Sequence, residues 1–224
     1  MDAPTSAVPV EPGSADSSLR PAANVSRGYK VGAYERAAQD WYVEPRWCVE
    51  QLADAIQFAG GLIWDPANGG GTIPSVFEDR GHLSIGSDVI DRGDQFAITP
   101  VDFLTCDDNE VVHENARFSI VTNPPFKLAE QFVRRALALP AFRVCILQQL
   151  SFLASAARHR LFTEFPPSDV LILSRRPSMP PGAMIAEMGA KAFKGGTTDF
   201  CWIVWTKPHD RETRTRWLSP VIAA

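Results

Sequence analysis

Short apolar runs, cut apart by turn residues, set the rhythm of this chain. Gly61-Leu62-Ile63-Trp64-Asp65, His82-Leu83-Ser84-Ile85-Gly86-Ser87-Asp88, Ala97-Ile98-Thr99 and Phe118-Ser119-Ile120-Val121-Thr122 each read as a strand. Three more follow at Val144–Leu147, Val170–Ser174 and Phe200–Trp205. Helical spacing fills the gaps. Cys48, Leu52, Ala55, Ile56 and Ala59 share one face, with Pro45 in the first turn and Gly60-Gly61 as the stop. A second helix runs from about Ile73 to Arg80, between Pro74 and Gly81. A third begins near Lys127 and carries Leu128, Phe132, Val133, Ala136 and Leu139 on its apolar face. Strands alternate with helices, and two late strands have no clear helix between them. The pattern predicts an α/β fold: a mainly parallel, seven-stranded sheet with an antiparallel terminal hairpin.

Composition adds a tail and removes several classes. Residues 1 to about 28 are rich in Pro, Ser and Ala and poor in large apolar groups, so they read as a disordered N-terminal tail before a domain at 29–224. No apolar stretch is long enough to span a membrane, and the N-terminus lacks the basic-then-apolar layout of a secretory signal. Cys48, Cys106, Cys145 and Cys201 are widely spaced, without a Cys-x-x-Cys pair. They read as free thiols in a reducing cytoplasm, and no metal site is expected. A net charge of −4 argues against coating nucleic acid through bulk charge. It leaves room for a local basic groove, for which Arg158-His159-Arg160, the Arg175–Thr198 loop and the basic stretch from Lys207 to Trp217 are candidates.

The chemistry gathers at predicted strand C-termini. Asn123-Pro124-Pro125-Phe126 follows the fourth strand. Two prolines remove two N–H donors and stiffen the chain, and Asn123, preceding a proline, is pushed into an extended shape. Its side chain and the nearby carbonyls are then free of local partners, beside the flat face of Phe126. A planar ring bearing an amino group can stack there and donate to the Asn123 oxygen and the Pro124 carbonyl. The plainer alternative is a strand-ending turn. Asp65-Pro66-Ala67-Asn68-Gly69-Gly70-Gly71 lies between a strand and a helix, as a cofactor loop must, although a ligand-free turn has the same appearance. Asp88, about 20 residues further on, is placed to accept from ribose hydroxyls, with Asp91 as the fallback.

Asn-Pro-Pro-Phe after a strand resembles the catalytic motif of S-adenosylmethionine-dependent amino-methyltransferases, especially those acting on adenine N6. Asp65-Pro66-x-x-Gly69-x-Gly71 resembles their cofactor loop. The order and spacing of these signals follow the family from residue 41 to 126. The resemblance implies a Rossmann-like class I methyltransferase fold and S-adenosyl-L-methionine as cofactor, with Asp65, Pro66, Asn68, Gly69, Gly71, Asp88, Asp102 and Phe103 binding it. In that pattern Asp102 takes the cofactor's adenine amino group and Phe103 packs on the ring. Otherwise, Asp102 caps a turn and Phe103 is core. Asn123, Pro124, Pro125 and Phe126 are the implied catalytic residues. The implied partner is nucleic acid, DNA before RNA, methylated at adenine N6. RNA adenine, a protein glutamine amide, and a non-catalytic methyltransferase-like binder are the competing readings. The short chain also resembles orphan enzymes of phage or bacterial mobile elements. Glu44 departs from the family, which has Thr before the proline corresponding to Pro45.

Overall fold

A computed structural model describes residues 40–113 and 116–220. The tail expected over residues 1–28 lies outside them. Five helices, α1 (Arg46–Ala55), α2 (Thr72–Asp79), α3 (Ala129–Ala138), α4 (His159–Glu164) and α5 (Ile185–Met188), accompany eight strands among the described residues. The strands are β1 (Leu62–Asp65), β2 (Ser84–Ser87), β3 (Ala97–Ile98), β4 (Phe118–Thr122), β5 (Arg143–Gln149), β6 (Asp169–Leu173), β7 (Phe200–Thr206) and β8 (Arg214–Leu218). They form one sheet in the order β3-β2-β1-β4-β5-β7-β6-β8. All neighbours run parallel except β7, which is antiparallel to both β5 and β6.

Alternation along the strands divides the core into two layers. Phe118 and Ile120 of β4, Val144 and Ile146 of β5, and Ile203 and Trp205 of β7 face the layer that holds Phe132 and Val133 of α3. Val121, Cys145, Leu147, Trp202 and Val204 face the opposite layer, with Cys48 and Leu52 of α1 and Ile73 and Phe77 of α2. Both faces are covered, which is why all five residues of β4 are buried, the small polar Ser119 and Thr122 among them. The two fully buried indoles, Trp64 and Trp202, have partners for their N–H groups. Trp202 donates to the Cys48 carbonyl at 2.9 Å and Trp64 to the Ser87 hydroxyl at 2.9 Å.

Three expectations need correction. The sheet has eight strands rather than seven. β8 lies within the stretch that looked like a basic tail, because four of its five residues, Arg214 to Trp217, are exposed on the sheet's edge and carry no apolar alternation. Helix α1 stops at Ala55, well before Gly60-Gly61. Those glycines, with φ of 71° and 90°, instead turn the chain into β1, and a side chain at Gly61 would strike the Arg117 carbonyl. The Arg175–Thr198 stretch also holds a short helix, α5, flanked by 3-10 turns.

The topology fixes where a ligand can sit. From β1 the chain steps to β2 and β3 on one side, then crosses back to β4 on the other. β1 and β4 are parallel neighbours, with Trp64 opposite Ile120. Their C-terminal ends therefore open side by side at the point where strand order reverses. Trp202→Ala, which empties the centre of one core layer, should cost about 3–5 kcal/mol of folding free energy. Urea denaturation followed by fluorescence measures it.

Candidate active site at the carboxyl ends of strands 1 and 4

A cleft joins the glycine loop after β1 to the Asn-Pro-Pro tip after β4. Pro66, Ala67, Asn68, Gly69 and Gly70 form one wall, Asn123 and Pro125 another, and residues 40–44 a third. Asp88, Val89 and Arg92, beyond β2, complete it.

The glycine loop is held by its own amides. Ala67 N–H donates to Asp65 Oδ1 at 3.1 Å, Asn68 N–H to the Ser87 carbonyl at 3.0 Å and Gly71 N–H to the Asn68 carbonyl at 2.9 Å. Gly69 and Gly71 have φ of 56° and 75°. At Gly69 a Cβ would come within 2.8 Å of Trp41 Nε1, and at Gly71 it would run into the Asp94 carboxylate. These two positions need glycine for both conformation and space. Asp94 was not visible as a site residue from the sequence. It accepts from Asn68 Nδ2 at 2.8 Å and fixes the amide orientation, leaving Asn68 Oδ1 buried without a partner among the described residues. Gly86 was also missed; its lack of a side chain is what admits Asn68 against β2.

Asp88 lies at the end of β2 and lines the cleft. Gly69 N–H donates to its Oδ2 at 2.9 Å; Ile90 N–H and Arg92 Nη1 donate to its Oδ1 at 3.0 and 2.7 Å. A carboxylate offers about four acceptor sites, so room for one further donor remains. Arg92 also stacks on Trp41, 4.4 Å from the ring centroid. Asp91 is exposed and caps its own turn through Gly93 N–H at 2.8 Å.

Asp102 and Phe103 stand apart from this group. Asp102 is exposed and accepts Leu104 N–H at 3.0 Å, closing a turn. Phe103 is 1 % exposed, its ring packed edge-on against Trp64 and tilted against Phe132. Neither lines the cleft, whereas the exposed Val89 does. The β3–β4 connection places Phe103 in the core, where an aromatic ring has most to bury.

At the β4 tip, Asn123 Nδ2 donates to the Tyr42 carbonyl at 3.0 Å and to Glu44 Oε2 at 2.9 Å. Its Oδ1 is buried with no partner among the described residues. Pro124 is buried and Pro125 half-buried. Phe126 carries the Tyr42 ring at 5.6 Å between centroids with a 28° interplanar angle, and leans on Phe200 from the core side. The lead-in that bears Tyr42 and Glu44 is pinned by the segment after β6. Val43 N–H donates to the Pro180 carbonyl at 3.0 Å, Gly182 N–H to the Trp41 carbonyl at 3.1 Å, and the Trp41 ring fills the space beside Gly182.

Two acids, Glu44 and Asp65, are buried here with no ion pair among the described residues. Burial pushes the Glu44 carboxyl up to about 7, against hydrogen bonds from Asn123 and others that pull it down. Burial, reinforced by the neighbouring Glu44, holds Asp65 well above the usual carboxylate range. Such a site gains from donors or from positive charge. Among the described residues, no group of three or more His, Cys, Asp or Glu side chains is placed to hold a metal ion.

Solved structures share this architecture. The chain superposes on the 23S rRNA methyltransferase ErmE with a TM-score of 0.51 and 13% identity, over 75% of this chain and 70% of that one. It superposes on a Lactococcus lactis protein named as a hemolysin with a TM-score of 0.52 and 12% identity, over 77% and 91%. The fold is the Rossmann-like methyltransferase fold. No family model matches the chain, and no curated protein sequence matches it.

The raised Glu44 carboxyl has a consequence for stability. The folded chain holds its proton at pH values where the unfolded chain, near 4.5, has lost it. Folding is thus weakened as pH rises between those values, and the full penalty stands above the folded value. A shift of this size amounts to about 3 kcal/mol. Glu44→Gln should raise the denaturation midpoint of the ligand-free chain at about pH 8, the gain shrinking as pH falls towards 4.5. Denaturant titrations across that range measure it.

Proposed function

We propose that the chain is an S-adenosyl-L-methionine-dependent methyltransferase acting on an exocyclic amine of nucleic acid, adenine N6 in DNA first. The observation that carries this is the cleft lined by both the glycine loop and Asn123, whose buried Oδ1 has no partner among the described residues.

The residues present suit the cofactor. The loop from Asp65 to Gly71 offers a backbone stripped of side chains at its tightest points, and Asn68 keeps an acceptor to spare. Asp88 has capacity for a ribose hydroxyl. Glu44 and Asp65 favour a cationic ligand. When bound, the cofactor supplies an electrophilic methyl group on a positively charged sulfur.

The chain's own part is positioning. Asn123 Oδ1 and the Pro124 carbonyl accept the two N–H groups of the amine. An adenine amine is a poor nucleophile because its lone pair is spread into the ring; holding both hydrogens favours a pyramidal nitrogen with a localised pair. Asn123 is too weak a base to take the proton, which leaves from the acidic methylated ammonium to solvent. Phe126 provides the stacking surface, and a base seated on it takes the place the Tyr42 ring now holds. An adenine within a duplex must be flipped out to arrive there.

Several of the basic groups considered for nucleic acid are already engaged. Arg176 pairs with Asp199, Arg160 with Glu164 and Arg216 with Asp169. Lys191 and Lys194 are exposed on the segment after β6, the one that pins the lead-in over the cleft. They are the proposed backbone contacts, and DNA recognition falls to this segment or to a partner. RNA adenine is the second reading; the shared fold with a protein named as a 23S rRNA methyltransferase favours it. An assay with tritiated methyl donor on DNA, RNA and protein, followed by nuclease digestion and mass spectrometry, decides between them. No transfer to any of the three would leave a non-catalytic binder.

Asn123→Ala should lower methyl transfer at least about a hundredfold and leave cofactor affinity nearly intact. Equal losses in both would refute that division. Asp88→Ala should weaken cofactor binding by about tenfold or more in calorimetry, since it removes both the ribose acceptor and the anchor of Gly69. Unchanged affinity would move the ribose contact elsewhere, Asp91 being the next candidate.

A further inference from the structure

A primary amide whose two hydrogens are both committed presents only its oxygen. Asn123 is in that condition: Nδ2 reaches the Tyr42 carbonyl at 3.0 Å and Glu44 Oε2 at 2.9 Å, and Oδ1 is left over. With Glu44 ionised, the reverse orientation would set the amide oxygen against two other acceptors at those distances, with no hydrogen between them. The Tyr42 carbonyl is backbone, available whatever the side chain. The second acceptor is supplied by one side chain, Glu44, 7 % exposed at the start of α1.

We propose that Glu44 is a positioning residue that, with the Tyr42 carbonyl, locks the Asn123 amide so that its oxygen alone is offered to the amino group of the substrate. The inference rests on the function given above. It goes further by assigning selectivity: an acceptor-only tip takes an –NH₂ edge and repels a ring oxygen at the same point. A charge-assisted contact also ties this selectivity to the ionisation of Glu44. Ionised, Glu44 holds the amide firmly. Protonated, it is a weaker acceptor and gains a hydrogen of its own that competes for Asn123 Oδ1.

Other charged groups bear on the same carboxyl. At the end of β1, the ionisation of Asp65 is opposed by Glu44 and by Asp88. Cys48, one turn along α1, feels both Glu44 and Arg175. Arg46 and Glu50 lie with Glu44 around a second hollow at the start of α1. Any pH response of Asn123 must therefore be traced to Glu44 by substitution.

The test begins without ligand. In the ¹⁵N-labelled full chain, the Asn123 side-chain NH₂ pair is identified by its loss in Asn123→Ala. The pair should shift with pH around 7. In Glu44→Gln, whose Oε1 can still accept, it should stay downfield and cease to titrate. In Glu44→Leu the two hydrogens should lose their shift dispersion. Circular dichroism confirms that each variant is folded.

Turnover gives the second arm. Glu44→Leu should lower kcat at saturating cofactor by at least about tenfold, a loss separate from any weakening of cofactor binding. Glu44→Gln should recover most of that loss and flatten the rise of kcat through neutral pH. An Asn123 pair that ignores pH, or titrates identically in Glu44→Gln, overturns the proposal. So does a folded Glu44→Gln as slow as Glu44→Leu. If the amide responds as expected but the wild-type chain methylates neither DNA, RNA nor protein, the lock is upheld and the methyltransferase reading fails.

Discussion

Everything at this site depends on the parallel pairing of β1 with β4. Those strands are adjacent in the sheet but far apart along the chain, and they lie where strand order reverses. Their shared register aligns the bend at Asp65 with the tip at Asn123. Burial on both faces makes the register hard to slip, since moving β4 by one residue would exchange the layers served by Ile120 and Val121. The apolar pattern that stabilises the sheet is therefore also what holds two polar loops at a fixed separation.

A second constraint comes from the lead-in at residues 40–44. It crosses the cleft and touches both loops. Trp41 lies beside Gly69, Tyr42 covers Phe126, and Glu44 grips Asn123. It is fastened from outside by Pro180 and Gly182. The segment after β6 thus acts on the site at one remove, by setting where the lead-in runs. Substitutions at Gly182 would be felt at Asn123 although the two do not touch, because Trp41 occupies the space a side chain would need.

The electrostatics carry the same tension. Glu44 and Asp65 are both buried, and Glu44 makes Asp65 harder to ionise. A protein that needed only stability would place apolar groups there. Their retention at the edge of the cleft matches a site that completes its charge balance with a ligand, and an Asn that must be aimed rather than merely buried.

Much of this was legible in the residues themselves. Apolar runs with period two, helical faces, and Gly and Pro at the turns determined the α/β order, the strand ends and the two loops. These signals are local, and local sterics and solvation act the same way wherever the segment ends up. Phe103 shows the limit: an aromatic after Asp102 fits a ligand wall or a core equally well, and only the path of the β3–β4 connection sends it inward. β8 was hidden because an edge strand gains from backbone pairing, which leaves no trace in side-chain pattern. Asp94, Gly86, Trp41 and the grip of Glu44 on Asn123 depend on segments that meet only after folding; 79 positions separate Glu44 from Asn123 along the chain. Sequence alone fixed which chemical groups are available, and tertiary structure decided which of them face one another, because contact at that range is a property of the packed sheet.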